Sequence, residues 1–239
     1  DFGILVLHMV LTSSFVVLPL VLRDQAGLDA ASHWQVYLPV LVGSVLAMLP
    51  FIILAERKGR IKPVFLGAVA LLVVAEAGLF LISPTLMHVV FLLFVFFVAF
   101  NLLEAMLPSL ISRVAPVDCR GTAMGVYSSS QFLGAFLGGA LGGLVHGRFG
   151  MQAVFLFAAL ALLAWLVVAL SMRVPRKLSN HIHRIGAVGP DGADSIHREL
   201  AAQAGVVEVV VVPEEGVAYL KVDRQAFDAG ALPGNGGQP

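Results

Sequence analysis

Six stretches of the chain are almost wholly apolar, at residues 3–22, 35–55, 64–82, 86–111, 122–146 and 151–172. A helix needs about 20 such residues to cross about 30 Å of hydrocarbon, and each stretch approaches or exceeds that length. Polar segments punctuate them: Arg23 to His33, Glu56 to Pro63, Ser83 to Thr85, Ser112 to Gly121 and His146 to Gly150. Arg173-Val174-Pro175-Arg176-Lys177 follows the last stretch as a basic stop. Buried helices of a large soluble protein would keep a polar face, and these stretches have none. The pattern predicts an all-α bundle of six transmembrane helices over residues 1–178.

Beyond Lys177 the apolar runs shorten to strand length. His181 to Val188 reads as a strand, and Asp191 caps a helix near 193–204 with Ile196, Leu200 and Ala204 on one face. Val206 to Val212 is a β-branched strand. Pro213-Glu214-Glu215-Gly216 turns the chain, and Val217 to Val222 returns with Ala218, Leu220 and Val222 alternating against Tyr219 and Lys221. This βαββ order predicts a small α+β, ferredoxin-like domain over 179–228. A short helix is expected to begin at Arg224, and 229–239, which ends Gly234-Asn235-Gly236-Gly237-Gln238-Pro239, is expected to be disordered.

Composition agrees with two environments. The 239 residues are 59% hydrophobic and 13% charged, against about 45–50% and about 25% in soluble domains. Mean hydropathy is +0.92. The net charge of zero divides into 11 basic and 7 acidic residues up to 178, then 4 and 8 after it. A nucleic-acid partner is excluded, because no basic face is present to neutralise phosphates. Cys119 stands alone, so neither an internal disulfide nor a thiolate zinc site is expected. Asp1 is not an initiator Met and no signal peptide follows it, which predicts a piece of a longer protein.

Lysine and arginine set the expected orientation. Arg57, Lys58, Arg60, Lys62, Arg113, Arg120, Arg173, Arg176 and Lys177 lie on one side, and only Arg23 and Arg148 on the other. The richer side is expected to be cytoplasmic, together with both ends of the chain.

Ionisable groups cost at least about 2.5–3.5 kcal/mol in a span, so they face protein or water. Glu76 lies in the third span and Glu104 in the fourth. Asn101 precedes Glu104 by three residues on nearly the same helix face, and Pro108 predicts a kink below them. Two readings of Glu104 stand open: a proton or substrate site, or a hydrogen bond that packs helices. Glu76 has the same alternatives without a polar companion on its helix. His8, Thr12 and Phe15 form a stripe on the first span, widened by Ser13 and Ser14. The stripe either lines an aqueous path, with His8 titrating, or bonds back to its own helix carbonyls. Tyr127, Ser130 and Gln131 share a face of the fifth span and are weaker path candidates. Gly134, Gly138 and Gly142 recur every four residues, as do Gly139, Gly143 and Gly147, and predict close helix packing.

Ala55-Glu56-Arg57-Lys58-Gly59-Arg60 resembles the Ala-Asp-Arg-x-Gly-Arg loop of the major facilitator superfamily, between the second and third helices of each six-helix half. Ile52 replaces the usual first glycine of that motif, and Ile61 a common basic residue. The resemblance implies that Glu56, Arg57, Gly59 and Arg60 form a gating loop whose charges latch onto a neighbouring helix end. Phe100 to Leu110 and Gly121 to Gln131 resemble the tenth and eleventh helices of YajR-type members, which are drug:proton-antiporter-like and carry a small cytoplasmic C-terminal domain. The likeness extends over about residues 1–225 and implies the second half of a twelve-helix fold in the inner (plasma) membrane. On that mapping the first and fourth spans line the central cavity, favouring His8, Thr12, Asn101 and Glu104, while Glu76 falls in the outer ring. The implied partners are protons, a small amphipathic substrate, the bilayer and an N-terminal six-helix half.

The tail resembles heavy-metal-associated domains, but its Gly189-Pro190-Asp191-Gly192 loop lacks their two cysteines. His181 and His183 share a strand face without a third ligand, so no metal or other cofactor is expected. A regulatory or dimerising module fits the open sheet edge. A proton-coupled exporter is therefore the leading function, and a membrane receptor presenting its tail is the alternative. A membrane-embedded enzyme has no nucleophile–base pair to support it.

Overall fold

The computed structural model describes residues 1–82, 85–115, 119–172, 178–186, 190–223 and 226–232. Two compact units form, Asp1–Val174 and Pro175–Pro239. The first contains six long helices: α1 (Phe2–Leu20), α2 (Trp34–Arg57), α3 (Ile61–Leu81), α4 (Leu86–Val114), α5 (Arg120–Phe149) and α6 (Met151–Leu170). A π turn at Val21–Gln25 extends α1. Among the described residues, five of these helices are long and apolar enough to cross a membrane; α5 is not among them. It runs for 30 residues, but its glycines dilute the hydropathy that length alone would supply. Gly150 links α5 to α6 at φ 86°, a conformation that a Cβ would disfavour.

Alpha1 is the centre of the unit. It packs most extensively on α5 and also on α6, while α3 lies against α6 and α4, and α2 lies against α4. Ile4, Leu7, Val10, Val17 and Leu18 of α1 are buried. In lipid such burial gives little net drive, since acyl chains are as apolar as leucine; close packing and interhelical hydrogen bonds decide the contacts. The α1–α5 seam shows this directly. A Cβ added at Gly134 would collide with the Leu5 carbonyl, one at Gly138 with Thr12 Oγ1 and the Met9 carbonyl, and one at Gly142 would lie 2.8 Å from Ser13 Cα. The second glycine series behaves differently, because nothing lies within 4 Å of a Cβ at Gly139, Gly143 or Gly147.

In the second unit β1 (Leu178–Arg184), β2 (Val206–Val212) and β3 (Val217–Asp223) form an antiparallel sheet in the order β1-β3-β2, with α7 (Pro190–Ala201) between β1 and β2 in sequence. A register shift between Val206 and Glu208 restores parity, so Val206 and Val209 both meet the core although they are an odd three positions apart. Leu200, Val209, Ala218, Leu220, Val222 and Leu232 form that core.

Several boundaries differ from the sequence reading. Strand β1 starts at Leu178 rather than His181 and ends at Arg184, and α7 begins at Pro190, which puts Asp191 inside the helix instead of at its cap. Proline is well tolerated in a first helical turn, and this favours the earlier start. The segment expected to be disordered from 229 opens with a 3-10 turn at Ala229–Ala231, and Leu232 is buried because the sheet offers it an apolar seat. Arg224, the expected start of a short helix, lies outside the described residues, and 226–228 form a turn closed on the Asp223 carbonyl rather than a helix; the basic stop Arg173 to Lys177 and 233–239 also lie outside the described residues. The ring of His181 packs against Phe227 at 5.3 Å, while His183 is buried.

Candidate functional site

His8, Glu104 and Gln131 come from α1, α4 and α5 and meet inside the helical unit. Gln131 Nε2 lies 2.8 Å from His8 Nε2 and 3.4 Å from Glu104 Oε1. His8 Nδ1 lies 3.3 Å from the Ile4 carbonyl. A carbonyl only accepts, so Nδ1 carries the hydrogen, and Nε2 is left as an acceptor for the Gln131 amide. Gln131 thus donates to both the imidazole and the carboxylate. Glu104 Oε2 stands 3.9 Å from His8 Nε2 and has no hydrogen-bond partner among the described residues. The Glu104 side chain is 36% exposed, against 13% for His8, although its Oε2 is itself buried.

Local sequence explains why these groups are free to meet. Pro108 lacks the N–H that an uninterrupted helix would donate to the carbonyl four residues earlier, which belongs to Glu104. The glycine seam draws α5 onto α1 closely enough for Gln131 to reach His8. Phe100 closes one side, edge-on to the His8 ring at 5.7 Å. Tyr127, one turn before Gln131, is buried with its hydroxyl unpartnered among the described residues.

The remaining candidates go elsewhere. Asn101 Nδ2 donates to Ser44 Oγ on α2 at 3.0 Å, not toward Glu104. The Thr12 hydroxyl is taken up by the carbonyls of His8 at 2.8 Å and Ala135 at 3.0 Å, and so ties α1 to α5. Ser130 bonds back to the Val126 carbonyl at 2.9 Å. Glu76 is fully buried, and its polar contact is Ser14 Oγ, which donates to Oε1 at 2.8 Å. The other Glu76 oxygen, Oε2, has no partner among the described residues.

At the loop between α2 and α3, Arg113 Nη2 reaches both oxygens of Glu56 at 2.7 Å, which pins the end of α4 to the end of α2. Gly59 turns the chain at φ 67°. Arg57 and Arg60 are exposed. Lys62 Nζ donates to the Leu170 carbonyl at the end of α6, at 2.9 Å. Sequence reasoning counted Arg113 only as an orienting charge; its place in the last turn of α4 was the available signal.

A charged glycine turn after the second helix is pinned to the end of the fourth, a contact of the kind that the loop motif implied. The sequence matches the Major Facilitator Superfamily over residues 1–217. The chain belongs to that superfamily. It is 45% identical over 225 residues to the inner membrane transport protein YajR of Escherichia coli (strain K12), covering 94% of this chain and 49% of that protein. An uncharacterized transporter of Buchnera aphidicola subsp. Baizongia pistaciae is 26% identical over 171 residues, 71% of this chain and 43% of the relative. One from Buchnera aphidicola subsp. Acyrthosiphon pisum is 30% identical over 136 residues, 57% and 35% respectively. The chain therefore spans about half the length, or less, of the curated relatives it matches. As a member of this superfamily it is a multi-pass membrane protein.

Proposed function

We propose that this chain is half of a secondary transporter of the inner membrane that moves small amphipathic molecules outward against protons. The observation that carries the reading is the Gln131 amide shared between His8 and Glu104 across three helices. His8 accepts at Nε2 in this state. A proton arriving there turns the acceptor into a donor, breaks the bond from Gln131, and sets a cation beside the unpartnered Glu104 Oε2. Since α1, α4 and α5 each supply one group, the exchange changes contacts among all three. This is a chemical trigger for the rocking of helical bundles that alternates access. Phe100 and Tyr127 offer aromatic walls beside the polar cluster, which suits an amphipathic cargo.

In this reading the Glu56–Arg113 pair latches one conformation. Both side chains are about a third or more exposed, so the pair contributes about 0–1 kcal/mol and biases the equilibrium rather than locking it. An N-terminal six-helix half completes the cavity, and both ends of this chain face the cytoplasm. The β1-β3-β2 order with α7 supports a ferredoxin-like module in the tail, whose open edge receives a second copy or a regulatory protein. Efflux of ethidium from vesicles holding the full-length protein, driven by a pH gradient, tests transport. His8→Ala is expected to reduce efflux to the rate of empty vesicles; a rate equal to wild type contradicts the role of His8.

A further inference from the structure

A groove of about 490 Å³ runs along the outside of the helical unit where α2, α3 and α4 meet. Phe51 of α2, Gly67 and Val74 of α3, and Leu102 of α4 line it. Its walls are apolar except at one end, where Arg60 of the α2–α3 loop contributes a guanidinium. Arg60 is exposed and makes no ion pair among the described residues, whereas neighbouring Glu56 is held by Arg113 and Lys62 by the α6 terminus.

The length of the groove fits a membrane component. From Pro63 to Val74 the lining follows α3 for eleven residues of rise at about 1.5 Å each, roughly 16 Å. That is about half of a hydrocarbon core of about 30 Å, the depth of one leaflet. Gly67 keeps the floor open, since no atom lies within 4 Å of a Cβ placed there.

We infer that this groove binds an anionic phospholipid, with one acyl chain along α3 and the phosphate on Arg60. The inference rests on the membrane placement of the helices but not on transport, because a superfamily member with another cargo presents the same groove. The bound chain fills the space between α2 and α3, which make far less contact with each other than either makes with α4. Arg60 follows Glu56 by four residues in the same loop motif, so lipid charge acts on the loop that joins α2 to α3.

Native mass spectrometry of the full-length protein, stripped of lipid in detergent and titrated with phosphatidylglycerol or phosphatidylcholine, tests this. Wild type is expected to retain phosphatidylglycerol about fivefold more strongly, the ratio given by about 1 kcal/mol per basic residue. Arg60→Gln is expected to bring that ratio close to one, and Gly67→Phe to reduce retention of both lipids. Inorganic phosphate is expected to leave the lipid bound. Equal retention of the two lipids by wild type, or a preference that survives Arg60→Gln, would overturn the proposal. So would unchanged retention in Gly67→Phe, or displacement by inorganic phosphate, which would indicate a simple anion site. Arg60→Gln changes an exposed loop side chain, so the charge arm stands even if Gly67→Phe does not fold. Retention is read without transport, and its failure leaves the proposed transport cycle intact.

Discussion

Glu76 lies in the contact between α1 and α3, fully buried, with Ser14 as its hydrogen-bond donor and an oxygen left unpartnered. Glu104 lies where α1, α4 and α5 converge, partly exposed, with an amide donor, an imidazole within 4 Å and a freed backbone carbonyl of its own. Both carboxyls sit in apolar helices, and neither shares an ion pair with a lysine or arginine among the described residues. The first is enclosed by Phe15, Leu18, Leu79, Leu93 and Phe96, around a void with room for about one water. Any proton it exchanges must cross packed side chains. The second has a neighbouring imidazole acceptor and a side chain that is 36% exposed. Surroundings, not residue type, are what distinguish the two carboxyls, and on them rests the proposal that exchange occurs at the second.

The contrast depends on the α1–α5 seam, because that seam brings Gln131 to His8. Gly138→Leu is expected to have the largest effect. Overpacking costs about 1–3 kcal/mol or more, and here the obstacle is the Met9 backbone, which has little room to move. The expected outcome is loss of the monodisperse folded protein on size-exclusion chromatography. Gly139→Leu, on the open series, is expected to remain monodisperse; if both behave alike, the seam is not what sets the geometry.

Ser14→Ala tests the Glu76 side. Removing the donor leaves a buried carboxyl without its partner, a loss of about 1–3 kcal/mol. The apparent melting temperature in detergent should fall, while ethidium efflux measured below that temperature should stay within about twofold of wild type. A normal melting curve with lost efflux would reverse the roles of the two carboxyls. The smallest effect is expected from Arg113→Gln. Breaking an exposed pair worth about 0–1 kcal/mol should change the efflux rate by less than about fivefold and hardly move the melting temperature.

Much of this arrangement was legible in the chain. Hydropathy located the helices to within a few residues because crossing length is set by the membrane. His8, Glu104 and Gln131 were each visible as polar residues in apolar runs. Their meeting was not visible, since it links positions 27 and 123 residues apart through helix packing. Asn101 shows the limit of helical periodicity. Three residues turn a helix by about 300°, which leaves Asn101 and Glu104 about 60° apart. That angle suffices to send one to Ser44 on α2 and the other to His8 on α1. Ser14 was read as widening the His8 stripe, yet it faces α3, because the next position along a helix points about 100° away. The Glu56–Arg113 pair followed from the loop motif only as a contact with some helix end. Its partner needed the packing of α2 on α4.

The central proposal is that protons exchange at the His8–Gln131–Glu104 cluster, which needs a titrating carboxyl at Glu104, and not at Glu76. The direct measurement is proton flux, read with a pH-sensitive dye inside proteoliposomes of the full-length protein, when ethidium is added to wild type, Glu104→Gln and Glu76→Gln. Glutamine preserves shape and hydrogen bonding at both positions but cannot titrate. Wild type and Glu76→Gln are expected to move protons at comparable rates, and Glu104→Gln to be silent. Undiminished flux in Glu104→Gln, or flux lost only in Glu76→Gln, would contradict the claim.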